Sequence, residues 1–315
     1  MKIAITGQQD FGKAVLEAFL ARGDQVAGVF CAPEKPGARP DALKLAAQEK
    51  GVKVFQFASL KSDEAKSALK GLDVELGIMA FVLQFAPQDF VNIPKRGTIQ
   101  YHPSLLPKYR GPSSINWPIS RGDAQTGLTI FRPTDGLDEG PVILQKSCPI
   151  APDETLGELY FNKLFPLGVQ ALLEATDLVL AGRHQERVQD ETRATYEGWM
   201  HDEECEIHWP GHVDTIYNLI RSCNPAPGAW MVLDGVKVRV YDCRKHPVGR
   251  FVARGHRPGD VAGVTEGSIV IWAQGGLIEI LKMRPEGAGK ISAGEFARQR
   301  GWAISTDWQS WVRPA

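Results

Sequence analysis

The stretch Gln100-Tyr101-His102-Pro103-Ser104-Leu105-Leu106-Pro107-Lys108-Tyr109-Arg110-Gly111 governs how the rest of the chain is read. It comes after an apolar segment, presents one histidine and at once stops being periodic. Pro103 and Pro107 remove backbone donors and stiffen the chain around them. Gly111 permits a close backbone approach or a positive φ. The stretch therefore reads as a rigid loop, not as a helix or the interior of a strand. Rigid loops on a scaffold are where catalytic groups are held. A second loop, Thr134-Asp135-Gly136-Leu137-Asp138-Glu139-Gly140, sets acids between glycines. A histidine and a held carboxylate form the simplest general acid–base pair. Each loop alone also has a plainer reading. A histidine beside Tyr and Pro is commonly structural, and Asp-Gly is commonly a turn.

Upstream, strand and helix signals alternate. Ile3 to Ile5 is a short apolar strand ending at Gly7. Lys13 to Arg22 is helical, with Val15, Leu16, Phe19 and Leu20 on one face. Val26 to Phe30 is a strand, Asp41 to Lys50 a helix with Asp41 in its cap region, and Val52 to Phe55 and Leu76 to Phe81 are strands. Continuous apolar strands separated by helices predict a parallel sheet covered on both faces. The loop after Gly7 is placed to face a ligand at the strand ends. Gly7-x4-Gly12 lacks the third glycine of the dinucleotide fingerprint, so a nicotinamide cofactor is not expected. The loop Phe81-Val82-Leu83-Gln84-Phe85-Ala86-Pro87 reads either as a core-to-surface connector or as a wall for a flat ring.

From Gly182 to Glu204 the chain is charged and reads as a linker. Beyond it come a helix-like Val213 to Arg221 and short β-like pieces at Ala229 to Leu233, Val236 to Tyr241, Val261 to Val264, Ser268 to Ala273 and Leu277 to Met283. Turn-punctuated strands at that spacing predict a small barrel or sandwich. His208 and His212 have a metal-like interval, but Pro210-Gly211 breaks the helix that would align them, so no metal is expected. Arg239, Arg244, Lys245, Arg250, Arg254 and Arg257 make this half locally basic. The plain reading is a solvated face, and the alternative is an anionic partner or a polyglutamate tail.

A length of 315 residues favours two domains, and 43% hydrophobic content suits a globular protein. The net charge of −1 argues against general attraction to nucleic acid or an anionic membrane. No apolar run approaches membrane-helix length. The amino terminus enters a strand directly, so no signal peptide is expected. Five cysteines, odd in number and without a Cys-x-x-Cys pair, read as reduced thiols of a cytoplasmic protein.

His102-Pro103-Ser104-Leu105-Leu106-Pro107 with Arg110-Gly111 resembles the central signature of the folate-dependent formyltransferase superfamily. Gly122-Asp123, Thr126-Gly127-Leu128-Thr129-Ile130 and Leu137-Asp138-Glu139-Gly140 come next in that superfamily's order. Met1-Lys2-Ile3-Ala4-Ile5, Gln84-Phe85, Tyr101-His102-Pro103-Ser104, Ile115-Asn116-Trp117, Leu144-Gln145-Lys146, Thr195-Tyr196-Glu197-Gly198 and Pro227-Gly228-Ala229-Trp230 most resemble the amino-terminal hydrolase domain of 10-formyltetrahydrofolate dehydrogenase. There is similarity to methionyl-tRNA formyltransferase as well. The likeness runs from the start to about position 285, and it is more specific around His102 than in the carboxy-terminal part.

The resemblance implies an α/β, Rossmann-like parallel-sheet catalytic domain over 1–182, a linker over 183–206, and a small barrel of the oligonucleotide/oligosaccharide-binding type over 207–315. It implies 10-formyltetrahydrofolate as formyl donor or substrate, with neither metal nor nicotinamide. It makes His102, Asp138 and Gln100 the catalytic candidates. It assigns Phe81, Leu83, Gln84, Phe85, Tyr101, Pro103, Ser104, Leu105, Leu106, Arg110, Gly111 and Asp135 to the folate pocket. One departure matters: the formyltransferases carry Asn two places before the histidine, where this chain has Gln100. Gln keeps the amide but moves it by one methylene, and about 1 Å of misplacement is costly in catalysis.

Water is therefore the first-choice acceptor of the formyl group and a small amine the second. A tRNA comes third, because Asp202-Glu203-Glu204-Cys205-Glu206 would repel a phosphate backbone. A folate-binding protein without turnover is the reading from another class. The 315 residues show no aldehyde-oxidising domain.

Overall fold

The computed structural model describes residues 1–248 and 255–312. Seven strands form one sheet: β1 (Lys2–Gly7), β2 (Gln25–Cys31), β3 (Val54–Gln56), β4 (Leu76–Ala80), β5 (Thr98–His102), β6 (Gln125–Phe131) and β7 (Val142–Pro149). Their order is β3-β2-β1-β4-β5-β6-β7. The strands β3, β2, β1, β4 and β5 are parallel neighbours, and β6 runs antiparallel to β5. The helices are α1 (Gln9–Ala21), α2 (Ala42–Glu49), α3 (Asp63–Gly71), α4 (Gln88–Val91), α5 (Asn116–Ser120), α6 (Leu156–Leu159) and α7 (Phe165–Leu180).

Strand alternation sorts the core into two layers. Ile3, Ile5 and Ile78 point to one side, where they meet Phe11, Val15, Leu16 and Phe19 of α1 and Ala171 and Leu172 of α7. Ala4, Phe30 and Met79 point to the other, against Ala65 and Leu69 of α3 and Phe90 of α4. The sheet is covered on both faces, as its continuous apolar strands require. Asp41 does cap α2, accepting from Leu43 N at 2.9 Å. The sequence reading passes over α3 and α7.

The chain divides into two compact units, and the division is not a single cut. The first comprises Met1–Ser114, Thr126–Pro149 and Phe161–Glu197; the second comprises Ile115–Gln125, Ile150–Tyr160 and Gly198–Ala315. The stretch expected as a linker is thus shared between the two. The second unit holds α8 (Val213–Ser222), β8 (Ala229–Leu233), β9 (Val236–Pro247), β10 (Val261–Val264), β11 (Ile269–Ala273), β12 (Gly276–Pro285), β13 (Ile291–Ser292) and α9 (Ala293–Gln299). Its sheet is antiparallel in the order β10-β11-β12-β9-β8, with β13 added to β12, consistent with a small barrel. Among the described residues no helix is long and apolar enough to cross a membrane.

Candidate active site

The strand order of the first sheet reverses between β1 and β4, and ligands of open α/β sheets bind beyond the carboxyl ends of strands at such a point. The carboxyl ends there are Gly7, Ala80 and His102. Reading residues 100–111 wholly as loop needs correcting at its start, because Gln100, Tyr101 and His102 close β5. Gln100 lies between Met79 of β4 and Phe131 of β6, so the ladder holds it on both sides.

Alternation along β5 puts Gln100 and His102 on one face and Tyr101 on the other. Tyr101 consequently packs into the core on Phe11, with ring centroids 4.4 Å apart. The resemblance had placed it in the folate pocket; the strand puts its ring on the face opposite His102.

His102 is buried, and its Nε2 lies 2.8 Å from Tyr109 O. A carbonyl can only accept, so Nε2 carries the hydrogen and Nδ1 is the nitrogen left for chemistry. Nδ1 lies 3.6 Å from Asp138 Oδ2. That same oxygen accepts from Gly111 N at 2.9 Å. Asp138 Oδ1 makes no hydrogen bond among the described residues. Asp138 sits at φ 53, in the left-handed region that a non-glycine residue seldom adopts.

The loop after β5 is held from beneath. Ser104 Oγ donates to Lys108 O at 2.7 Å, and Thr129 Oγ1 donates to Ser104 O at 2.7 Å. Leu106 N donates to Thr129 Oγ1 at 3.1 Å, and Gln145 Nε2 donates to Leu106 O at 2.8 Å. Tyr109 N and Arg110 N reach Thr195 Oγ1 and Thr195 O at 2.8 and 3.0 Å. Gly111 must be glycine: its φ is 103, and a Cβ there would lie 2.2 Å from Glu197 O.

Arg110 was expected against the folate, but its side chain is turned inward and 0% exposed. Nη1 and Nη2 reach the two carboxylate oxygens of Glu191 at 2.9 and 2.6 Å, and Nε and Nη2 reach Gln189 Oε1 at 3.2 and 2.8 Å. Nη1 also donates to the hydroxyl of Tyr196, which in turn donates to Glu139 at 2.7 Å. The hydrogen bond with Glu191 moves Arg110 further above, and Glu191 below, their ordinary values. A buried guanidinium so fully engaged braces the loop and leaves no donor for a ligand. Ser104 and Leu106 are likewise buried, whereas Pro103 and Leu105 are half-buried.

The neighbouring loop, after β4, is built differently. Phe81, Leu83 and Phe85 are exposed apolar side chains, and so is Leu137 of the acidic loop; their exposures run from 37% to 54%. Gln84 Nε2 is spent on Phe57 O and Ala58 O at 2.8 and 3.1 Å, which anchors the loop. Asp135 Oδ1 accepts from Gln88 N at 2.9 Å and so ties the acidic loop to the one after β4. Both residues were expected to hold the ligand directly; here their side chains are spent on neighbouring backbone.

The loop after Gly7 is closed by Asp41, whose two carboxylate oxygens lie 3.1 and 2.8 Å from Gln9 N at the start of α1. A phosphate at that helix terminus would compete with a carboxylate already there. Of the basic residues of the second unit, Arg239 pairs with Asp202, Lys245 with Asp214 at 2.6 Å and Arg244 with Glu279 at 3.9 Å. Arg250 and Arg254 lie outside the described residues. The His212 side chain caps α8, accepting from Asp214 N. Among the described residues no three His, Cys, Asp or Glu side chains come together as metal ligands.

Gln189 and Glu191 escaped the sequence reading. They stand in the charged stretch 183–206, and nothing local connects them to an arginine some 80 residues earlier. Only Thr195-Tyr196-Glu197-Gly198 hinted that this stretch belongs to the site.

A doubly wound sheet with a histidine–carboxylate pair at its carboxyl edge defines the class, an α/β enzyme. Residues 1–176 match the family described as Formyl transferase, and residues 200–301 match Formyl transferase, C-terminal domain; the chain belongs to the formyl transferase family. Mitochondrial 10-formyltetrahydrofolate dehydrogenase of Mus musculus is 41% identical over 246 residues, which are 76% of this chain and 26% of that protein. The chain thus spans about a quarter of the length of that relative.

Two solved structures share the fold. HypX from Aquifex aeolicus in complex with tetrahydrofolic acid matches at a TM-score of 0.66 with 18% identity, over 98% of this chain and 48% of that one. The N-formyltransferase from Helicobacter canadensis in complex with folinic acid and dTDP-3-aminofucose matches at 0.67 with 18% identity, over 89% and 99%.

Proposed function

We propose that this chain hydrolyses 10-formyltetrahydrofolate to tetrahydrofolate and formate. The observation that carries the reading is the pair itself: His102 commits Nε2 to a carbonyl and turns Nδ1 to Asp138 at 3.6 Å. The donor is suggested by the 41% identity to a 10-formyltetrahydrofolate dehydrogenase. The exposed apolar side chains Phe81, Leu83, Phe85 and Leu137 suit a flat bicyclic ring.

Attack of water on the formyl carbon creates a tetrahedral oxyanion. His102 acts as the imidazolium, keeping Nε2–H on Tyr109 O and donating from Nδ1–H to that oxygen. Asp138 Oδ1 accepts one proton from the attacking water and returns it to N10 as the carbon–nitrogen bond breaks. The other water proton leaves with formic acid, which ionises to formate. Gly111 N holds Oδ2 throughout, so the carboxylate meets the water in one orientation.

Gln100 shares the face of His102, and its amide is one methylene too long to act as the transferase asparagine does. The deciding test is to incubate the protein with 10-formyltetrahydrofolate alone. Formate and tetrahydrofolate are expected to appear in equal amounts, Gln100→Ala to stay within about tenfold, and Gln100→Asn to bring no gain. Formate that appeared only after a small amine was supplied, with transfer abolished in Gln100→Ala, would replace hydrolysis by amine formylation. Folate binding with neither product would leave a binding protein without turnover.

A further inference from the structure

The carboxamide of Gln189 is saturated. Nε2 donates to Asp138 O at 2.8 Å and to Gly140 O at 2.7 Å, while Oε1 accepts from Nε and Nη2 of Arg110 at 3.2 and 2.8 Å. A primary amide has two N–H donors and two acceptor lone pairs, so all four are used. The side chain is 6% exposed. Losing such an amide leaves buried carbonyls short of a partner, the costly case for a hydrogen bond.

The groups it joins give it a purpose. Tyr109, Arg110 and Gly111 are consecutive. Tyr109 O receives His102 Nε2, and Gly111 N holds Asp138 Oδ2. One tripeptide therefore grips both members of the pair. Gln189 links the arginine in its middle back to the backbone of Asp138. This closes a ring that runs from the Asp138 carboxylate through Gly111, Arg110 and Gln189 to the Asp138 carbonyl. Asp138 is left-handed at φ 53, and gathering carbonyls 138 and 140 on one donor group holds that turn. Arg110 does not depend on Gln189 in return, because Glu191 and Tyr196 also hold its guanidinium.

We infer that Gln189 is a positioning residue for the His102–Asp138 pair: it fixes the backbone turn that aims the Asp138 carboxylate. The rate arm of the test rests on the hydrolase reading; the spectroscopic arm does not. Gln189→Glu keeps the shape and an acceptor for Arg110 but removes both donors to the turn. Gln189→Met removes everything polar. Both variants should lower kcat for formate release by about 10², as expected for a catalytic group displaced by about 1 Å, with the folate dissociation constant within about twofold.

The ¹⁵N shifts of the His102 ring, read by NMR in the absence of substrate, should move in both variants. Near-normal kcat in Gln189→Glu would mean that the residue serves Arg110 alone and would overturn the inference. Unmoved His102 shifts would overturn it whatever the rates. If Gln189→Met does not fold, Gln189→Glu decides. If the unmodified protein released no formate while the His102 shifts still moved, the hydrolase reading would fall and the positioning role would stand.

Discussion

Two loops leave the carboxyl ends of neighbouring parallel strands and are built in opposite ways. The one after β5, residues 103–111, is packed with satisfied polar groups, from Ser104, which Thr129 of β6 holds from outside, to the buried Arg110. The one after β4, residues 81–87, is anchored by Gln84 and otherwise offers water Phe81, Leu83 and Phe85. The difference fits the roles proposed for the two loops. Proton transfer tolerates little displacement, so its groups are fixed by directional bonds. Binding an apolar ring depends on area removed from water, which has no direction, so bare side chains suffice. The first loop should therefore control rate and the second affinity.

The largest effects should separate the two. His102→Ala and Asp138→Asn should each cut formate release by about 10² to 10⁴ while leaving folate affinity within a few-fold, checked by steady-state kinetics and by folate titration. Asparagine can still accept from Gly111 N, so a loss in Asp138→Asn reports proton transfer and not the bond to the loop. Near-normal turnover in His102→Ala would break the assignment.

Smaller and opposite in kind, Phe85→Ala combined with Leu137→Ala should weaken folate binding by about 30-fold with kcat nearly unchanged. Each side chain covers enough apolar area for roughly 1 kcal/mol. Fluorescence titration reads it, and a fall in kcat at unchanged affinity would reverse the contrast between the loops.

The smallest concerns a third loop at the same edge, after β2, where the polar anchoring lies outside the proposed chemistry. Glu34 is held at about 2, chiefly by the hydrogen bond from Gln56 and then by that from Lys44. Its folded value is depressed, so its contribution to stability is present above about pH 4.3 and is lost as pH falls toward 2. Glu34→Gln should flatten that part of the acid limb of thermal stability and leave turnover at neutral pH unchanged. The effect is small because the pair is partly exposed. An unaltered acid limb would show that the anchoring has no energetic weight.

The sequence by itself determined what is local. Alternating apolar runs placed β1, β2 and β4, and turn-punctuated runs placed β8 at Ala229–Leu233 and most of the second sheet. Asp41 was legible as a cap because capping needs only a side chain and the amide two residues on. His102 and Asp138 stood out as candidates because their loops, marked by prolines and glycines, match the formyltransferase signature in order.

Tertiary structure decided what depends on partners far along the chain. Tyr101 and Arg110 sit in the same motif as His102, yet one is claimed by Phe11 and the other by Gln189 and Glu191, 79 and 81 residues later. The division into units drew 115–125 and 150–160 away from their neighbours in sequence. The hydrogen on His102 Nε2 was fixed by a carbonyl seven residues on, which only a folded loop brings within reach. Periodicity and turn chemistry act over a few residues and can be read in order, whereas a buried polar group takes whatever partner the packing delivers.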